Sequence, residues 1–263
     1  MSRSRRNRRR RRRAEVYARA VYEQAADSPA EPAPGEVQRS LGFELVDDSA
    51  RQAPVHDLLS TERIMKAADD AAGRGDLNRA IGMYCELLEA HPDALDARYR
   101  LAELLESRGR HHAALEELHT CLEDTPEHAA TLIARSRVLV ALGRFRDAES
   151  DLIRVLQANP TNVEAHLHMG VVIARKGLWR DAIPHLRRAI ELDSSCATAY
   201  CALGEALNQD DDLDGALQAY QRSTELQPSD PRALRGLGIV FDRLNRPDEA
   251  AHMYRQSREL AGT

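Results

Sequence analysis

Along residues 61–263, apolar positions recur at the spacing of amphipathic helices, and the pattern itself repeats every 34 residues. Stepping by that period gives an alanine column: Ala80, Ala114, Ala148, Ala182, Ala216 and Ala250. Twelve residues earlier stands a second small column, Ala68, Ala102, Ser136, Gly170, Gly204 and Gly238. Four residues after the alanines comes a large one, Tyr84, Leu118, Leu152, Leu186, Tyr220 and Tyr254. Small residues let two helices approach closely, and the large residue fills the space toward the next pair. Each block therefore predicts two helices with a short break.

The breaks carry helix-end residues. Gly75, Gly109, Gly143 and Gly177 mark four of them, and Asp211 and Asn245 hold the same place in the last two. Proline closes most blocks, at Pro92, Pro126, Pro160 and Pro228, with Ser194 in the fourth. The blocks are 61–94, 95–128, 129–162, 163–196, 197–230 and 231–263. Ser60 or Thr61 is expected to cap the first helix, with Glu62 in its first turn. Pro184 falls early in a second helix, where a mild kink is the worst expected, and Pro247 falls at a helix start.

In period, small pair, large column and closing proline, the chain resembles the tetratricopeptide repeat family. Gly170, Ala182, Leu186 and Ala189 match the family pattern within the fourth block. The family's frequent early tryptophan is absent: Ile64, Arg98, Leu132, His166, Tyr200 and Leu234 stand in its column. Arg135 occupies a normally apolar column, so the third repeat is expected to be looser. The resemblance implies an all-α, right-handed α-solenoid of six helix-turn-helix repeats with a concave, ligand-binding face.

The resemblance also implies which residues face that groove, since the family lines it with the first helix of each repeat. By register one column holds Tyr99, Ile133, Leu167 and Cys201, and another holds Asp69, Glu103, Arg137, Val171, Glu205 and Ile239. Arg100, Val140 and His168 fall nearby. The expected peptide groove is thus Tyr99, Arg100, Ile133, Arg137, Val140, Leu167, His168, Val171 and Glu205. An apolar trough with a charged rim suits an amphipathic helix or extended peptide. One family subtype grips a carboxylate with Lys and Asn, but here those positions hold Tyr99, Glu103, Ala134 and Ala130, so that clamp is absent.

Charge changes the picture at the N-terminus. Residues 1–27 hold ten Arg against Glu15, Glu23 and Asp27, which is +7 in a chain of net −5. Arg5, Arg6 and Arg8, with Arg9, Arg10, Arg11, Arg12 and Arg13, form a block expected to be disordered alone through self-repulsion. It reads either as an arm for nucleic acid, ribosome or another polyanion, or as a solvated tail or start-site extension. Residues 14–27 can form a short helix with Tyr17, Val21 and Ala25 on one face. Residues 28–60 open as a Pro-rich linker, and 37–49 read either as a loop on the first repeat or as a linear motif for another protein.

Candidate chemistry is sparse. His112, Glu116 and His119 share a helix face, yet a solvated surface explains them better than a metal. His166 and His168 point different ways on a helix. The acids in 209–215 fit turn chemistry rather than a calcium loop, since Gln221 stands where the twelfth-position glutamate belongs. No nucleophile elbow, phosphate loop or nucleotide fingerprint occurs, so no catalytic residue, metal or cofactor is expected. Cys85, Cys121, Cys196 and Cys201 lack C-x-x-C spacing and suit a reducing cytoplasmic setting. No long apolar run predicts a transmembrane segment, and no apolar core follows the basic N-terminus as in a signal peptide. Only Lys66 and Lys176 accompany the arginines, a bias that fits a GC-rich bacterial source.

The reading is a non-enzymatic protein-binding adaptor or scaffold. The alternatives are a polyanion-binding factor working through the arm and a regulatory subunit of a neighbouring enzyme. Met253 and Leu260 at the last repeat leave a homo-oligomer contact open.

Overall fold

The computed structural model describes residues 54–262, with side chains from residue 61 onward. The arginine block, the short helix at 14–27 and the segment 37–49 lie outside the described residues. Among the described residues the regular elements are twelve α-helices: α1 (Pro54–Gly73), α2 (Leu77–Ala90), α3 (Leu95–Ser107), α4 (His111–Asp124), α5 (Ala129–Ala141), α6 (Phe145–Ala158), α7 (Val163–Arg175), α8 (Trp179–Leu192), α9 (Ala197–Gln209), α10 (Leu213–Leu226), α11 (Pro231–Arg243) and α12 (Pro247–Ala261). The described residues form an all-α fold, with the two-helix period that the spacing predicts.

The first helix corrects one expectation. It begins at Pro54 rather than near Ser60 or Thr61, so part of the expected linker is helical and neither hydroxyl residue caps it. A proline at the first helical position gives up an amide that would have had no partner anyway. Pro247 does the same for α12, and Pro184 sits inside α8. Several other helices start on the capping chemistry of short polar side chains. The Asn162 Oδ1 accepts from the Ala165 amide at 2.8 Å, and the Asp212 Oδ1 from Gly215 at 2.9 Å.

The six breaks share one turn. The second residue after each first helix takes a left-handed conformation: Gly75, Gly109, Gly143 and Gly177, then Asp211 at φ 72° and Asn245 at φ 59°. The next amide reaches back to a carbonyl five residues earlier, as in Arg144 to Leu139 at 2.8 Å and Arg246 to Phe241 at 2.9 Å. Asp211 bears the strain of that conformation with its carboxylate held by the Arg243 guanidinium.

The chain divides into two compact units, one ending at Arg110 and one beginning at His111. The division falls within the second repeat, between α3 and α4. In the first unit α2 packs against α1 and α3. In the second, each helix from α4 to α12 packs on its chain neighbour, and α5, α7, α9 and α11 also pack on one another in sequence. The second helices do not pack on each other to a comparable extent. The row of first helices is therefore the tighter wall of this unit.

The core follows the columns. Ala148, Ala182 and Ala216 are completely buried, as are Leu152 and Leu186. A methyl group added at Gly170 would lie 2.6 Å from Leu186 carbons, and one at Gly204 would lie 2.8 Å from the Tyr220 ring. The small column is small because the large column occupies that space.

Candidate functional site

The candidate groove residues divide between the two units. Tyr99 and Arg100 lie on α3 in the first, where Tyr99 is half-buried and Arg100 pairs with Glu103 at 3.3 Å. Asp69, in the same register column as Glu103, accepts a 2.6 Å hydrogen bond from the Tyr84 hydroxyl. Burial and that bond both hold the Tyr84 phenol above its ordinary pKa, so Asp69 serves the packing of α1 on α2.

In the second unit the first-helix wall presents Arg137 and Val140 on α5, Leu167, His168 and Val171 on α7, Cys201 and Glu205 on α9, and Ile239 on α11. Leu167 and Val171 are one turn apart and half-buried, Val140 is half-buried, and Ile239 is 37% exposed. Ile133 corrects the expected set. It is only 2% exposed and belongs to the core cluster with Leu132 and Leu139, because the neighbouring helices close over its side of α5.

Polar groups alternate with these apolar residues on the same wall. Arg137 on α5 reaches Glu164 on α7 at 3.6 Å, and the His168 ring stands 3.8 Å from the same carboxylate. Burial, then the nearby Arg137 charge, pulls the His168 pKa down to about 4. The ring is neutral at pH 7, so its contact with Glu164 is polar rather than ionic. Burial, reinforced by Asp230, raises the Cys201 thiol to about 11, which leaves it a poor nucleophile. Glu205 is exposed.

Two side-chain pairs escaped the sequence reading. Arg135, the misfit of the third repeat, makes a bidentate ion pair with Asp151, at 2.7 Å from Nε and 2.5 Å from Nη2. Asp151 is nearly fully buried, so the arginine in this otherwise apolar column is matched by a buried carboxylate on the facing helix. His166 faces not His168 but His185 on α8, with 3.4 Å between the two Nδ1 atoms. The signal in both cases was paired polar residues 16 or 19 residues apart. The closing prolines have a further role as acceptors: Arg98 donates to the Pro92 carbonyl at 3.0 Å and His166 Nε2 to Pro160 at 3.0 Å.

Among the described residues no three His, Cys, Asp or Glu side chains converge as a metal site. Asp210 is bridged by Arg180 at 2.5 Å and Asp212 caps α10, so the acids of that loop serve turn and cap. Among the described residues no helix is long and apolar enough to cross a membrane.

Comparisons with known proteins agree with the geometry. The sequence profile described as tetratricopeptide repeat matches residues 65–126, 133–179, 174–231 and 212–262. No curated protein matches the sequence. Among solved structures, the thermophilic TPR protein TTC0263 of Thermus thermophilus superposes with a TM-score of 0.61 at 24% identity, over 69% of this chain and 98% of that one. A tetratricopeptide repeat protein from Parabacteroides merdae ATCC 43184 gives a TM-score of 0.69 at 16% identity, covering 96% of this chain and 93% of its own. MamA from Desulfovibrio magneticus RS-1 gives 0.53 at 23% identity, over 64% and 96%. These identities speak to the fold alone. Proteins built on this repeat generally mediate protein–protein interactions, and the fold is typically a scaffold rather than an enzyme. With its profile matched across most of the described helices and its small and large columns in phase, the chain belongs to the tetratricopeptide repeat family.

Proposed function

We propose that the protein is a non-enzymatic adaptor that holds a segment of another protein, a helix or an extended peptide, against the first-helix wall of its second unit. The observation that carries this reading is the strip of Val140, Leu167, Val171 and Ile239. These side chains keep exposed apolar surface on the same helices that pack against one another. Burying such surface under a partner is favourable by about 25 cal/mol per Å². Arg137 and Glu205, which alternate with Val171 and Ile239 in one column, and Glu164 supply charged groups that set the register and direction of what binds rather than most of its affinity. His168, neutral and half-buried, offers a hydrogen bond without a charge to desolvate.

The test is selection of binders from a random peptide library on the full-length protein, followed by affinity measurement on variants. Leu167→Asp with Val171→Asp places two charges in the strip and is expected to weaken the selected peptides at least tenfold. Gln218→Asp, on the exposed face of α10, should leave them unchanged. Helicity by circular dichroism separates lost binding from lost fold. Equal binding by the doubly substituted protein would move the site off this wall.

A further inference from the structure

The fourth repeat carries a feature that peptide binding does not use. His166 stands in the column that holds Leu132, Tyr200 and Leu234 in the other repeats of the second unit. His185 stands where those repeats have Asp151, Ala219 and Met253. Only in the fourth repeat do both positions carry imidazoles, and they meet across the α7–α8 pair. Their Nδ1 atoms are 3.4 Å apart, with ring centroids 5.6 Å apart and planes tilted by 34°.

The protonation of His166 follows from its other nitrogen. A carbonyl oxygen only accepts, so His166 Nε2, 3.0 Å from the Pro160 carbonyl, must carry the proton. In the neutral ring the Nδ1 is then bare and aimed at His185. An imidazole whose far N–H is fixed on a carbonyl is oriented in the way metal-binding histidines are. Two nitrogens on one tetrahedral ion at about 2.0–2.1 Å stand about 3.3–3.4 Å apart. The observed separation already has that value, on two helices that the core holds rigidly together. Both rings are half-buried and so reachable from solvent. Glu149 on α6, tied to Lys176 at 2.8 Å, lies near enough for its charge to act on His185.

We propose that His166 and His185 form a bidentate site for a divalent cation of the zinc type, clipping α7 to α8. Water completes the coordination, since no third His, Cys, Asp or Glu converges there among the described residues. Without metal, His185 Nδ1–H donates to His166 Nδ1. With metal, His185 moves its proton to Nε2, both Nδ1 lone pairs bind the ion, and the net proton count is unchanged.

The experiment is calorimetric titration of the chelator-stripped full chain with zinc chloride. One class of site is expected, weakened roughly tenfold or more in both His166→Gln and His185→Gln. Isotherms of the two variants that superimpose on the wild type, or no zinc uptake at millimolar concentration, would overturn the site. The wild-type protein gives an answer that needs no variant. In nitrogen-15 spectra of the imidazoles, zinc should shift the Nδ1 resonances of His166 and His185 together. A shift confined to other histidines would refute the clip.

Discussion

At the scale of single residues, Arg135 and Asp151 are the most exposed to test. Asp151 retains only 5% of its side-chain surface, so removing its partner strands a charge in a nearly dry place. Arg135→Leu alone is expected to cost about 3 kcal/mol, whereas Arg135→Leu with Asp151→Leu should recover most of the loss, because apolar side chains of similar volume replace such a pair at little penalty. Denaturant unfolding of the two variants checks this, and a double variant no more stable than the single one would contradict it. His168 gives a prediction in pH. Its folded pKa of about 4 lies below the ordinary histidine value, so above about pH 6.5 the ring is neutral in both states and costs nothing. As pH falls below 6.5 the unfolded chain binds the proton and the folded one does not. Stability is therefore lost, by about 2 kcal/mol between pH 7 and pH 5. Unfolding free energies measured in chelator at both pH values should show this slope in the wild type and a flatter one in His168→Gln.

At the scale of the element, the packing rule of the columns decides what each glycine does. Gly170→Val adds bulk where even a Cβ would come 2.6 Å from Leu186, and the expected loss is about 2 kcal/mol. Gly177 has open space around it but φ +79°, so Gly177→Ala should lose about 1 kcal/mol through backbone strain alone. Thermal unfolding of both variants separates the two mechanisms, since Leu186→Ala in the Gly170→Val background should restore part of the first loss and none of the second. Much of this was legible in the sequence. The 34-residue period fixed which residues end helices, down to Asp211 and Asn245 standing in for glycine, because the turn demands a left-handed residue and few side chains tolerate one. The start of α1 was not legible. Ser60 and Thr61 look like caps, but the helix already runs from Pro54, so neither stands at its start. Register likewise gives the direction of a Cβ but not what closes over it. Ile133 and Leu167 share a column, yet one is sealed in the core and the other is half-open. Arg135 was visible as an intrusion, but its partner Asp151, like His185 opposite His166, stands in a column of mixed polarity, and both pairings depend on the way the two helices of a repeat face each other.

At the scale of the molecule, stacked pairs bury their large column between neighbours and leave the first helices of the second unit facing one another along a continuous wall. A repeat array of this kind concentrates its stability in contacts between adjacent repeats, and the proposed binding surface is what that packing leaves open on the wall. The most direct measurement is the map of backbone amide perturbations when a library-selected peptide binds the isotopically labelled full-length protein. The shifts are predicted to concentrate on α5, α7, α9 and α11, with the largest at Val140, Leu167, Val171 and Ile239. Shifts concentrated instead on α6, α8, α10 and α12 would contradict the account.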